Sequence, residues 1–281
     1  MPALYAHYRF GEEVIKALPT YFSKHVEKYP EAFALGTQGP DILFYHHPLK
    51  KNEIRSYGTY LHSLPAEDFY LDMAKFLLEN ADGGSAEEVL EKNGAFASYI
   101  CGFLCHFTLD FSCHKYIDDN SSEQLTHGKI ESEFDKFLLK KDGKPIRGYN
   151  TATPIKDENG TSESCAKALN IPKENISLSI KTIRKINGWF SKKCELFHTC
   201  MHTLLKIVGM ERKFGDMFIH KKDDPLCVEI NEVLFDKFEN AIQTGANLVE
   251  NYFSSLPALI NKQQQNEIFR YNYSGIKITK E

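Results

Sequence analysis

The chain of 281 residues is 42% apolar and 26% charged, the balance of a soluble globular protein long enough to bury a large core. Its formal net charge is −4 and its basic residues are scattered, which argues against tight binding of duplex nucleic acid by phosphate neutralisation. Seven irregularly spaced cysteines, with no CxxC pair and no visible secretory signal, are expected as free thiols in a reducing, cytoplasmic setting.

Helical periodicity dominates. Residues 5–9 alternate weakly, over too short a run to count as a strand. Residues 69–80 place Leu71, Met73, Phe76 and Leu77 at helical spacing, and Asp82-Gly83-Gly84 stops that helix. Residues 87–118 read as one or two long helices with Gly94 as a break. The most apolar stretch, 95–111, is interrupted by His106 and Asp110, which would be costly in lipid, so a buried helix is expected and no transmembrane segment. A further helix at 123–140 is closed by Asp142-Gly143, and the basic run 140–144 reads as its solvated C-terminus. The stretch 141–166, rich in Gly, Pro, Asn, Asp and Ser, is expected as a long surface loop. Helices follow near 177–186, 191–208 and 228–253, and the polar tail is expected to be loose. There is no internal repeat. The expected fold class is all-α, a single multi-helix domain over 1–281, with the metal chemistry in 1–140, a loop at about 141–166, helical packing in 167–262 and a loose tail at 263–281.

The strongest chemical signal is His106-Phe-Thr-Leu-Asp110-Phe-Ser-Cys-His114. Each step of four residues on an α-helix turns by about 40° and rises about 6 Å, so these side chains form one stripe with Asp110 in the middle. The stripe is embedded among Tyr99, Phe103, Phe107 and Phe111, where bare polar groups would be costly. Metal ions would satisfy it; a hydrogen-bonded His-Asp-His ladder in a helical core is the alternative. His127 and Glu131 repeat the spacing on the next helix and suit zinc, although such a pair alone occurs by chance in many helices. Upstream, His7 lies in Tyr5-Ala-His7-Tyr-Arg-Phe, Asp41 follows Gly39-Pro40 in a turn, and His62 precedes a helix. Taken singly, each reads more readily as a cap, turn or core residue.

In order and spacing these eight residues resemble the zinc-dependent phospholipase C and P1 nuclease family. Its pattern is an N-terminal His, a Pro-Asp turn, a single His before a helix, HxxxD, His, and a final HxxxE or HxxxD. The likeness covers roughly the first half of the chain, and no motif carries over beyond Lys140. The resemblance implies an α-helical fold holding up to three zinc ions. Asp41, His62, His106 and Asp110 would take one, His114, His127 and Glu131 a second, and His7 with the bridging Asp110 a third. In secreted members the mature N-terminal residue completes that third site. This chain lacks the usual Trp there, but trimming of Met1 would leave the Pro2 amine and carbonyl five residues before His7, and these are expected to stand in.

The implied activity is hydrolysis of phosphate esters, foremost phospholipase C-like phosphodiester cleavage. Paired zinc ions would lower the pKa of a bridging water and aim its hydroxide at phosphorus, with the remaining ion neutralising phosphate and leaving alkoxide. Asp41 is implied as a ligand and as a base for that water. Phe44, Tyr45, Tyr57 and Tyr60, near Asp41 and His62 in sequence, are candidate walls for a choline headgroup or a nucleobase, or plain core. Nothing in them separates a phospholipid headgroup from a nucleotide or another small phosphate ester. A P1-like nuclease or 3′-nucleotidase is one rival reading, and a protein that keeps the metals but binds without cleaving is another. His198 and His202, four apart without an acid in register, read as packing or surface. His46-His47-Pro48 reads as loop near the pocket mouth, and Cys113 as a small apolar filler.

Overall fold

A computed structural model describes residues 4–81, 84–207, 215, 222–261 and 266–278. In chain order the elements are α1 (Leu4–Ala17), α2 (Thr20–Lys28), α3 (Pro30–Gly36), a 3-10 helix (Gly39–Tyr45), α4 (Glu53–Ser63), α5 (Glu67–Glu79) and α6 (Ala86–Asn120). Then follow α7 (His127–Lys141), α8 (Thr161–Leu169), α9 (Lys173–Phe190), α10 (Glu195–Ile207), α11 (Cys227–Ser254), α12 (Leu256–Ile260) and a last 3-10 turn (Glu267–Arg270). Among the described residues the only extended pairing is an isolated antiparallel bridge between Tyr271 and Lys277, so the fold is all-α.

The axis is α6. Every residue from Phe96 to Asp110 is buried, because a helix apolar on all sides needs neighbours on all sides. Its apolar window is long enough to cross a membrane, yet 89% of it is buried inside the protein. Its closest neighbour is α3, and the two backbones nearly touch. A Cβ on Gly102 would come 2.8 Å from the Thr37 nitrogen, which only a glycine avoids. On the other side α1 crosses α6, α7 and α11, with Phe10 edge-on to Phe238 at 5.3 Å. Gly94 is indeed the break in α6, with φ 52 and ψ −126.

Three expectations need correction. Helix α7 begins at His127, not near 123, because Thr126 caps it by accepting the Lys129 N–H at 3.2 Å. The expected surface loop ends early. Gly160 at φ 83 leads into α8, and Ala152 and Ile155 are buried within the loop itself. Helix α8 was hidden because its apolar side is short, with Cys165, Ala168 and Leu169 packed inward. The tail is not loose over 266–278. The Asn272 side chain accepts from the Ser274 and Ile276 N–H groups at 3.1 and 2.9 Å, a turn that drives Tyr273 into the core. The expected stop at Asp82-Gly83 lies outside the described residues.

Candidate metal centre

Five elements bring the eight candidate ligands to one pocket. His7 comes from α1, Asp41 from the 3-10 helix, His62 from the last turn of α4, His106, Asp110 and His114 from α6, and His127 and Glu131 from the first turns of α7. Local sequence explains each placement. Gly39 adopts φ 50 and Pro40 opens the 3-10 helix, so that Asp41 turns inward; Asn52 caps α4 by accepting the Arg55 N–H at 3.0 Å.

Asp110 is the hub. Its Oδ1 lies 3.2 Å from His7 Nε2 and 3.0 Å from His114 Nε2. Its Oδ2 lies 3.1 Å from His106 Nε2 and 3.9 Å from His62 Nε2. Asp41 Oδ1 is 3.1 Å from His62 Nε2, and Glu131 Oε1 is 3.3 Å from His127 Nε2 and 3.6 Å from His114 Nε2. Three groups could each hold an ion: His7, His106 and Asp110; Asp41, His62 and His106; and His114, His127 and Glu131.

The donor set fits zinc. Two ligand atoms about 2.0–2.1 Å from a tetrahedral zinc stand roughly 3.3–3.4 Å apart, close to the separations found here. These contacts are also poor hydrogen bonds: both Asp110 oxygens and His106 Nε2 are fully buried with no hydrogen-bond partner, which a bound cation would remedy. The outer nitrogens are committed elsewhere. His62 Nδ1 meets the Gly58 carbonyl at 2.7 Å, His106 Nδ1 the Thr37 carbonyl at 3.2 Å, and His127 Nδ1 the Asp118 carboxylate at 2.7 Å. Each acceptor holds the proton on Nδ1 and leaves the Nε2 lone pair facing inward, as metal-binding histidines require. A cavity of about 20 Å³, room for roughly one small species, lies between His7, Asp110, His114 and Glu131.

The electrostatics agree. Burial alone would raise the Asp110 carboxyl, but the His106, His114 and His7 imidazoles outweigh it and hold it well below the usual carboxylate range. Asp41 is lowered against burial by His62, and Glu131 is held well below its usual value by His127 and His114. Burial pushes His106 down towards the neutral ring that a metal needs. His114 moves the opposite way: Asp110 and Glu131 overcome its desolvation and raise it well above its ordinary value. A divalent cation at the same place would take over that positive role.

Other candidate residues divide. Phe44 stacks on His62 at 5.6 Å, and Tyr57 lines a cleft of about 550 Å³. Tyr45 is no wall: it is buried in the core, where desolvation raises its phenol. Tyr60 faces solvent. Pro2 lies outside the described residues, and so does the His202 side chain. His198 Nε2 meets the Lys192 carbonyl at 2.7 Å, a packing role, and Cys113 is a buried thiol that burial pushes up to about 12.

Sequence reasoning missed Tyr273. Its ring lies 5.0 Å from His62, 5.8 Å from His106 and 5.2 Å from Phe107, closing the pocket from the C-terminal side. Asp135 was missed as well, although it stands four residues after Glu131 on the same face of α7. It accepts the Tyr5 and Ala6 N–H groups at 3.1 and 2.8 Å, and so fixes the start of α1 and the position of His7.

No curated protein and no solved structure matches the chain. The family model of the zinc-dependent phospholipase C matches residues 6–186, which contain all eight converging side chains and the helices that carry them. The chain therefore belongs to the zinc-dependent phospholipase C family, a family of zinc-dependent hydrolases of phosphate esters.

Proposed function

We propose that the protein cleaves phosphodiesters in the manner of a phospholipase C, with zinc held by His7, Asp41, His62, His106, Asp110, His114, His127 and Glu131. The supporting observation is Asp110: a fully buried carboxylate whose two oxygens face four imidazole nitrogens, two on each side. A carboxylate so placed could be shared between bound ions, and removal of Met1 would offer the Pro2 amine and carbonyl as further donors for up to three.

When bound, divalent ions supply a water acidic enough to ionise near neutral pH, together with positive charge for the phosphate oxygens. The chain's own residues do the rest. His106 and Asp110 are essentially inaccessible, whereas His62, His114 and His127 are 18%, 14% and 33% exposed, so the phosphate approaches from the His62–His127 side. Asp41, a buried carboxylate 3.1 Å from His62 Nε2, is the base that accepts a proton from the attacking water. Phe44, stacked on His62, offers aromatic surface at that mouth for the alcohol or headgroup.

The test is turnover of a chromogenic phosphorylcholine ester, against 3′-nucleotides and single-stranded DNA, with and without chelator. Chelator-sensitive cleavage of the choline ester is expected. Cleavage of the nucleotides alone would move the reading to a nuclease, and zinc binding without any turnover would overturn it.

A further inference from the structure

Away from the metal pocket, α9 and α10 enclose a groove of about 530 Å³ whose lining is mostly apolar. It begins where the 3-10 helix bearing Asp41 runs out into His47, Pro48 and Leu49, and its floor is Ile186 and Leu205. Its rim is apolar and exposed. Leu49, Trp189 and Leu204 line it and are 67%, 39% and 50% accessible, and α10 exposes Leu196 and Ile207 as well, at 71% and 77%. Lone exposed leucines are ordinary; a contiguous set around one groove marks a binding face.

The charge around this groove identifies the partner. Two of its twelve lining residues are lysines, Lys50 and Lys185, and none is acidic, in a chain whose net charge is −4; between residues 181 and 207 the sequence holds six basic residues and one acid, Glu195. Lys185 lies over the Trp189 ring at 5.0 Å and Lys192 over Phe197 at 4.3 Å. Lysines that lay their stems on aromatic rings and keep the ammonium in water suit an apolar–aqueous boundary, as does a Trp at the edge. An amphipathic helix with apolar side chains outward and lysines flanking them is the usual design for lying in a lipid headgroup layer. A protein partner would fit the apolar groove but leaves the one-signed fringe unexplained, whereas an anionic bilayer matches both.

We propose that the α9–α10 face docks the protein onto membranes containing anionic lipid. This rests on the hydrolase reading only for its purpose, which is to bring the Asp41 side of the pocket to a lipid surface; docking itself needs no turnover.

Trp189 is the single tryptophan of the chain, so its fluorescence reports on this face alone. The metal-loaded, full-length protein is titrated with zwitterionic vesicles and with vesicles containing about a third anionic lipid, and bound protein is measured by flotation. The expected result is a blue shift of Trp189 and quenching by brominated acyl chains on anionic vesicles. Binding to zwitterionic vesicles should be at least tenfold weaker. L204E/I207E should lose tenfold or more of the vesicle binding while its circular dichroism and its turnover of a soluble ester stay those of the wild type. Equal binding to both vesicles, binding unaffected by L204E/I207E, or a Trp189 already shielded from acrylamide without lipid would each overturn the proposal. The last result would mean that the chain itself or a second copy covers the face. Loss of soluble-ester turnover in the wild type would overturn the hydrolase reading and leave docking standing, so the two fail separately.

Discussion

Replacing Gly39 with alanine should damage the metal centre without touching a ligand. Gly39 has φ 50, and an added Cβ would fall on the His106 ring, 2.5 Å from Cγ and 2.6 Å from Nε2. The ring has little room to retreat. Its Nδ1 is held by the Thr37 carbonyl at 3.2 Å, and its face stacks on His7 at 4.4 Å. The left-handed backbone costs a residue with a Cβ about 1 kcal/mol, and forcing a methyl into a packed site about 1–3 kcal/mol more. The sum is about 3 kcal/mol, or roughly 5 °C in Tm for a chain of this size. Because the displaced atom is a candidate ligand or its neighbour Asp41, zinc affinity should also fall by about 10–100-fold. Gly143 provides the control: its φ is 64 and nothing lies within 4 Å of its missing Cβ, so G143A should cost only about 1 kcal/mol and leave the metal in place. Calorimetry gives Tm, and elemental analysis of the purified variants gives zinc per chain. Equal Tm shifts for G39A and G143A, with wild-type zinc content in both, would refute the claim that this close approach shapes the site.

Truncating Tyr273 to alanine should cost about 3–5 kcal/mol from lost packing and weaken zinc retention, because His62 and His106 lose the ring that backs them; competition with a chromogenic chelator measures the affinity, and unchanged affinity would reduce Tyr273 to ordinary core. Chelation of the wild type should lower Tm by at least about 5 °C, since an ion at a thousandfold over its Kd contributes about 4 kcal/mol. Zinc should restore Tm where magnesium does not, because imidazole ligands favour the softer ion. Asp135 predicts a pH effect. Burial, partly offset by the Tyr5 and Ala6 N–H groups, pushes its carboxyl up to about 7. Between the ordinary carboxylate range and pH 7 the folded protein therefore holds a proton that the unfolded chain has released, and this group's contribution to stability falls as pH rises through that window. Urea midpoints at pH 5 and 7.5 should show a smaller difference between the two pH values for D135N than for the wild type; identical differences would mean that Asp135 is ionised throughout.

The candidate ligands were legible because their chemistry is written in residue type and helical register together. His106, Asp110 and His114 share a stripe on the buried stretch of a long helix, where three such groups need either one another or an ion to satisfy them. The three longer helices of the second half, α9, α10 and α11, were legible for the same reason, as long amphipathic runs, whereas the short α8 and α12 were not. What stayed hidden depends on backbone or on distance in the chain. The Thr37 and Gly58 carbonyls that orient His106 and His62 are peptide groups, which any residue carries, so no letter in the sequence signals them. The helices α1 to α3 follow one another with only one or two residues between them, so their separate apolar faces run together in the sequence and are sorted out only by packing on α6.

Tyr273 shows the limit most clearly. It sits among polar residues in a stretch that composition alone assigns to a loose tail, and nothing local says it will be buried. Its place follows from tertiary contacts: the Tyr271 carbonyl accepts the Ala66 N–H at 3.1 Å, tying the tail to the turn between α4 and α5 immediately after His62. The C-terminal segment thus packs against the same end of α4 that carries a candidate ligand, while Asp135 on α7 fixes the start of α1 from the other side. Helix α6 places the central stripe, but the rings around it are aimed by contacts from both ends of the chain. The carrier of this chemistry is therefore the closed helical bundle, not the 106–131 segment alone, because a ligand stripe on an isolated helix has neither fixed tautomers nor a dry pocket.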